Sequence, residues 1–104
     1  MGFDSVRGWV AYQSKDNLLF VKRFEVAENR NYGEVVGINL SIWYPKKDFI
    51  PCCEVEPIGP MQNLKPGEQA SYSVDWWLLE STFPADRKVD PVAIEKTVDE
   101  QCKK

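Results

Sequence analysis

Residues 51–80 read PCCEVEPIGPMQNLKPGEQASYSVDWWLLE, and the fold turns on how this stretch is read. Over 52–58 the side chains alternate, with Cys52, Glu54, Glu56 and Ile58 on one side and Cys53, Val55 and Pro57 on the other. A period of two marks a pleated strand. Gly59-Pro60 and Lys65-Pro66-Gly67-Glu68 then interrupt the chain, because proline sets φ at the second position of a turn and glycine takes the positive φ that follows. Residues 70–80 alternate again, Tyr72, Val74, Trp76 and Leu78 against Ser73, Asp75, Trp77 and Leu79. The stretch is therefore expected to form strand, turn and strand, as a β-arch or a hairpin. Its two tryptophans then face opposite ways, Trp76 into the core and Trp77 toward the more open side.

Working outward, residues 34–44 give the cleanest alternation in the chain: Val36, Ile38, Leu40, Ile42 and Tyr44 on a core side, Asn39, Ser41 and Trp43 on a wet one. Pro45 has no N–H for a ladder and ends that strand. Residues 8–13 and 18–26 read as two further strands joined by the polar turn Ser14-Lys15-Asp16-Asn17, and 27–33 as a loop. In the second of these strands Leu18, Phe20, Phe24 and Val26 share a face that Lys22 interrupts, while Val21, Arg23 and Glu25 lie opposite. Residues 1–7 are a lead-in. Past Glu80 the pattern changes. Asp90-Pro91 is a helix start, and Ile94, Val98 and Cys102 recur every four residues, so 90–103 is expected to be a short amphipathic helix that docks by a narrow stripe. The expected total is five strands and a helix in a single domain over 1–104.

Composition narrows the function. With 104 residues and 43% hydrophobic side chains the chain can bury a core, and disorder is excluded. A net charge of −3 and a pI near 4.9, with no extended run of Lys or Arg, exclude phosphate-backbone binding to nucleic acid. No apolar run approaches the roughly 20 residues of a membrane span, and the start of the chain has no signal-peptide core. Three cysteines, two of them adjacent, fit a reduced, cytoplasmic chain in which the thiols act as small buried hydrophobes. The chain has no histidine, and adjacent cysteines on a strand point apart, so no metal or other cofactor is expected.

The order of short motifs is what resembles a known family. Gly8-Trp9-Val10-Ala11-Tyr12, Leu19-Phe20-Val21-Lys22-Arg23-Phe24, the loop with Tyr32, a long strand, Glu54-Val55-Glu56-Pro57-Ile58-Gly59-Pro60-Met61, Leu64-Lys65-Pro66-Gly67-Glu68 and Trp76-Trp77 are similar, in that order, to the C-terminal half of galactose mutarotase-like proteins. The resemblance spans residues 9–79 and implies a mainly β fold, an antiparallel β-sandwich with an open face for carbohydrate. In that family a glutamate ahead of the P-G-E turn acts on the sugar ring with a histidine pair. Glu56 is the matching position, and the histidines have no counterpart here. The resemblance thus implies a carbohydrate-binding or self-assembling module without catalysis. Its alternatives are a sugar epimerase that uses Glu56 with residues from a partner, and a protein-interaction module.

Individual residues fill out that expectation. Glu54 and Glu56, two apart on one strand face, sit about 6.5–7 Å from each other by strand rise. Trp43 on the polar face is a candidate stacking platform, with Glu54, Glu56, Arg23 and Trp77 as further ligand contacts and Glu56 as the one catalytic candidate. Lys22 and Arg23 could instead pair with the glutamates across the sheet. Half of a sandwich leaves strand edges unpaired and a second apolar face around Val21, Trp43 and Trp77, so a homodimer is expected.

Overall fold

A computed structural model describes residues 1–33, 38–46, 48 and 52–103. Among these residues six strands, β1 (Gly2–Phe3), β2 (Trp9–Gln13), β3 (Leu18–Phe24), β4 (Leu40–Trp43), β5 (Glu54–Pro57) and β6 (Val74–Glu80), precede helix α1 (Pro91–Gln101). The chain is mainly β. It has two three-stranded antiparallel sheets, the make-up of a small β-sandwich, and one short C-terminal helix. One sheet has the order β1-β4-β5 and the other β2-β3-β6. Strands β5 and β6, on either side of the proline-rich turns, join different sheets and so do not form a hairpin.

The described residues of 1–8 and 24–73 make a first unit. Here β4 pairs with β1 through Gly2↔Ser41 and Phe3↔Leu40, and with β5 from Leu40↔Pro57 to Trp43↔Glu54. Gly8 ends its first segment in the left-handed region, φ 67°, and its carbonyl accepts from Phe24 N at 2.9 Å. A Cβ at Gly8 would run into the Phe24 carbonyl oxygen, so this position needs glycine for both its conformation and its close approach.

The described residues of 9–23 and 74–103 make a second unit. Strands β2 and β3 form the hairpin that the Ser14–Asn17 signal predicts, in register from Trp9↔Arg23 to Gln13↔Leu19. Asn17 takes φ 61°, and Ser14 N donates to Leu18 O at 2.8 Å to close the turn. Leu19, Val21, Val98 and Cys102 form the fully buried cluster, with Trp77, Leu79 and Ile94 packed against it. Burying each such aliphatic side chain contributes about 1.5–3 kcal/mol, which is what holds α1 against its sheet. The Asp90 carboxylate caps the helix by accepting from Val92 N at 3.0 Å and Ala93 N at 3.2 Å, and Pro91 occupies the first turn. The stripe Ile94, Val98, Cys102 docks as its spacing requires.

Several expectations are corrected. A sixth strand, β1, lies in the expected lead-in, where pairing with β4 recruits only two residues. Strand β4 starts at Leu40, Tyr44 beyond it is exposed, and Asn39 is buried rather than wet. The first part of the expected 34–44 strand, Val36 included, lies outside the described residues, as do Phe49 and Ile50. In β3 the deeply buried face is Leu19 and Val21, because α1 covers that side. Phe20 and Lys22 face the other way, with Lys22 Nζ 4.8 Å from the Trp76 ring centre and 5.4 Å from that of Phe20. Strand β6 starts at Val74 and has the opposite sense from that expected: Trp77 packs on the core and Trp76 is 66% exposed. Cys102 is a buried thiol, but Cys52 is exposed.

Candidate functional site

The β1-β4-β5 sheet gathers three of the candidate residues on one face. Alternation along β4 sends Leu40 and Ile42 one way and Ser41 and Trp43 the other, and the register sets Trp43 opposite Glu54 and Ser41 opposite Glu56. Directly opposed side chains start about 4.5–5.5 Å apart at Cβ and diagonal ones about 7–8 Å, so the indole has both carboxylates within reach. Trp43 is 41% exposed, and both glutamates are open to solvent.

The N-terminal segment closes one side of this face. The Met1 ammonium donates to Ile42 O at 2.7 Å, and Ile42 N donates to Met1 O at 2.8 Å. Asn39, 1% exposed, ties the same segment down: its Oδ1 accepts from Ser5 N at 2.7 Å and its Nδ2 donates to Ser5 O at 2.7 Å. Gly2, opposite Ser41, contributes no side chain, and the Ile38 side chain lies where a Cβ on Gly2 would stand. The result is an apolar cleft of about 300 Å³ at the Ser41 end of the face, lined by Tyr32, Ile38 and Ile58. Tyr72 packs at Gly59 in the same unit. Burial first, then Tyr32 and Glu25 nearby, pushes its phenol up to about 12.

Arg23 and Trp77 belong to the second unit, where both serve packing. Arg23 Nη1 donates to the Cys102 carbonyl at 2.6 Å, holding the end of α1, and Trp77 lies on the Leu19–Val21 cluster. Arg23 and Lys22 lie in the sheet that lacks the glutamates. Tyr32, Ile38 and Gly2 are site residues that sequence reasoning missed. The usable signal was Tyr32, a lone aromatic in the polar loop AENRNYG, while Gly2 acquires its place only through long-range pairing.

An indole beside two carboxylates can hold a polyol: the ring face takes C–H groups and the carboxylates accept hydroxyl protons. Among the described residues no group of three or more His, Cys, Asp or Glu is placed to hold a metal, and no helix is long and apolar enough to cross a membrane. Comparison with protein-family models, with curated proteins and with solved structures finds no match for this chain.

Proposed function

We propose that the chain is a non-catalytic carbohydrate-binding module, with Trp43 as the stacking platform and Glu54 and Glu56 as hydroxyl acceptors. The pairing of Trp43 with Glu54 on an open sheet face, with Glu56 one step along, carries this reading. Binding is favoured over epimerase chemistry because a catalytic general acid needs an enclosed setting, whereas Glu54 and Glu56 are exposed and the chain has no histidine. A reducing, cytoplasmic setting belongs to the same reading, supported by three free thiols. The test is an NMR titration with a panel of neutral and acidic monosaccharides. We expect shifts at Trp43 and along β5, with Trp43→Ala and Glu56→Gln each weakening the bound sugar at least about tenfold. A panel that moves no resonance on this face would remove the proposal.

Self-assembly is a second reading with its own observation. The uncovered side of β2-β3-β6 exposes Tyr12 (50%), Trp76 (66%) and Leu78 (65%), an apolar patch that a second copy of the chain would bury. The expected homodimer would form here, since α1 already covers the Val21 and Trp77 side of this sheet, where a partner was expected. Sedimentation at micromolar concentration should then exceed the 12.0 kDa of one chain, and Trp76→Ser should return it to that mass. A wild-type mass of 12.0 kDa throughout would remove the dimer.

A further inference from the structure

A second cleft in the first unit, about 440 Å³, shares among the described residues only Tyr32 with the apolar one. Its volume lies in the range of small-molecule sites. Two buried polar side chains, Asn39 and Tyr32, line it, and both are held in place by the backbone. The Asn39 amide spends one acceptor site on Ser5 N and one proton on Ser5 O, both at 2.7 Å. The Tyr32 hydroxyl accepts from Ala27 N at 2.8 Å. An amide has two acceptor sites and two protons, and a phenol also has a proton to give. One Asn39 N–H, one Asn39 acceptor site and the Tyr32 O–H therefore remain unspent among the described residues. Unspent hydrogen-bonding capacity on buried, preorganised groups is what a ligand would use.

The remaining walls define the ligand. Val6, Val26 and Ala27 are apolar, and Asp4, Glu28 and Arg30 bring two carboxylates and one guanidinium. A dianion such as phosphate would meet Asp4 and Glu28, a simple cation would leave the Arg30 charge opposed, and a neutral sugar would answer neither sign. We propose that this cleft binds a small aliphatic zwitterion, of which a free α-amino acid is the simplest case. Its carboxylate takes Arg30 and the Asn39 and Tyr32 protons, its ammonium takes Asp4 and Glu28, and its alkyl group lies against Val6 and Val26. The proposal is independent of the carbohydrate reading, since it uses other residues and another ligand class.

The experiment is a two-dimensional NMR titration of the full chain with L-leucine, N-acetyl-L-leucine and L-leucine methyl ester. L-leucine should move the Asn39 side-chain NH₂ and the amides of 27–30 and leave Trp43 and Glu56 still, with each capped form binding at least about tenfold more weakly. Because Asn39 also holds Ser5, the variants are Arg30→Gln and Glu28→Gln, both at exposed positions. Each should weaken L-leucine at least about tenfold while leaving the rest of the spectrum unchanged. No shift up to about 10 mM L-leucine, equal binding of the capped forms, or full affinity in both variants would overturn the proposal.

Discussion

Asn39 uses both ends of its amide to hold the N-terminal segment, and its removal takes from the partly buried N–H and C=O of Ser5 the partner that each has in the fold. A hydrogen bond contributes about 0.5–1.5 kcal/mol net, so the loss of two in Asn39→Ala should lower stability in urea denaturation by about 1–3 kcal/mol. A loss near zero would mean that water serves Ser5 equally well. Tyr72 gives a pH-dependent counterpart. Its folded value of about 12 exceeds the ordinary 10.0, so the fold favours the neutral phenol. The contribution is fully present below pH 10. It declines as pH rises from 10 to 12, because the unfolded chain sheds this proton first. Tyr72→Phe should flatten the alkaline fall in stability over that window, and an unaltered fall would assign it to another group.

In β4 the alternation can be tested position by position. Leu40 is buried and Ser41 belongs to the open face, so Leu40→Ala should cost about 2–5 kcal/mol and Ser41→Ala close to nothing. Equal losses would refute the register. In α1 the Asp90 carboxylate satisfies two amides of the first turn, and Asp90→Ala should cost about 1 kcal/mol, visible as earlier loss of helical circular dichroism on heating. Of these two elements α1 was the more legible. Asp90-Pro91 and the four-residue spacing of Ile94, Val98 and Cys102 are local signals, and local signals survive folding. The sense of β3 and β6 was not legible, because both of their faces carry large apolar residues and only the docking of α1 selects Leu19, Val21 and Trp77 as the inner set. Asn39 was misread for a related reason: alternation assigns it to the wet side, and its burial depends on a partner 34 residues away.

At the scale of the whole molecule the thiols report the unfolding of the second unit. Burial pushes the Cys102 thiol up, with the Arg23 guanidinium pulling the other way, while Cys52 is exposed. A thiol reagent should therefore modify Cys52 in the native protein and reach Cys102 only as denaturant unfolds it; equal rates for the two would contradict the docking of α1. The candidate site was half legible at this scale. Trp43, Glu54 and Glu56 follow from periodicity and register, whereas Arg23 and Trp77 required knowing which sheet each strand joins. The Gly8–Phe24 hydrogen bond has a consequence for protein engineering. The chain leaves the first unit at Gly8 and re-enters it at Phe24, and these two residues are neighbours in space, 2.9 Å between carbonyl oxygen and amide nitrogen. The β2–β3 hairpin is thus an excursion whose two ends meet. Splicing residue 8 to residue 24 through a short glycine bridge, and stopping at residue 73, would write the β1-β4-β5 sheet as one uninterrupted polypeptide, a minimal scaffold on which the proposed sugar contacts of Trp43, Glu54 and Glu56 could be tested without the second unit.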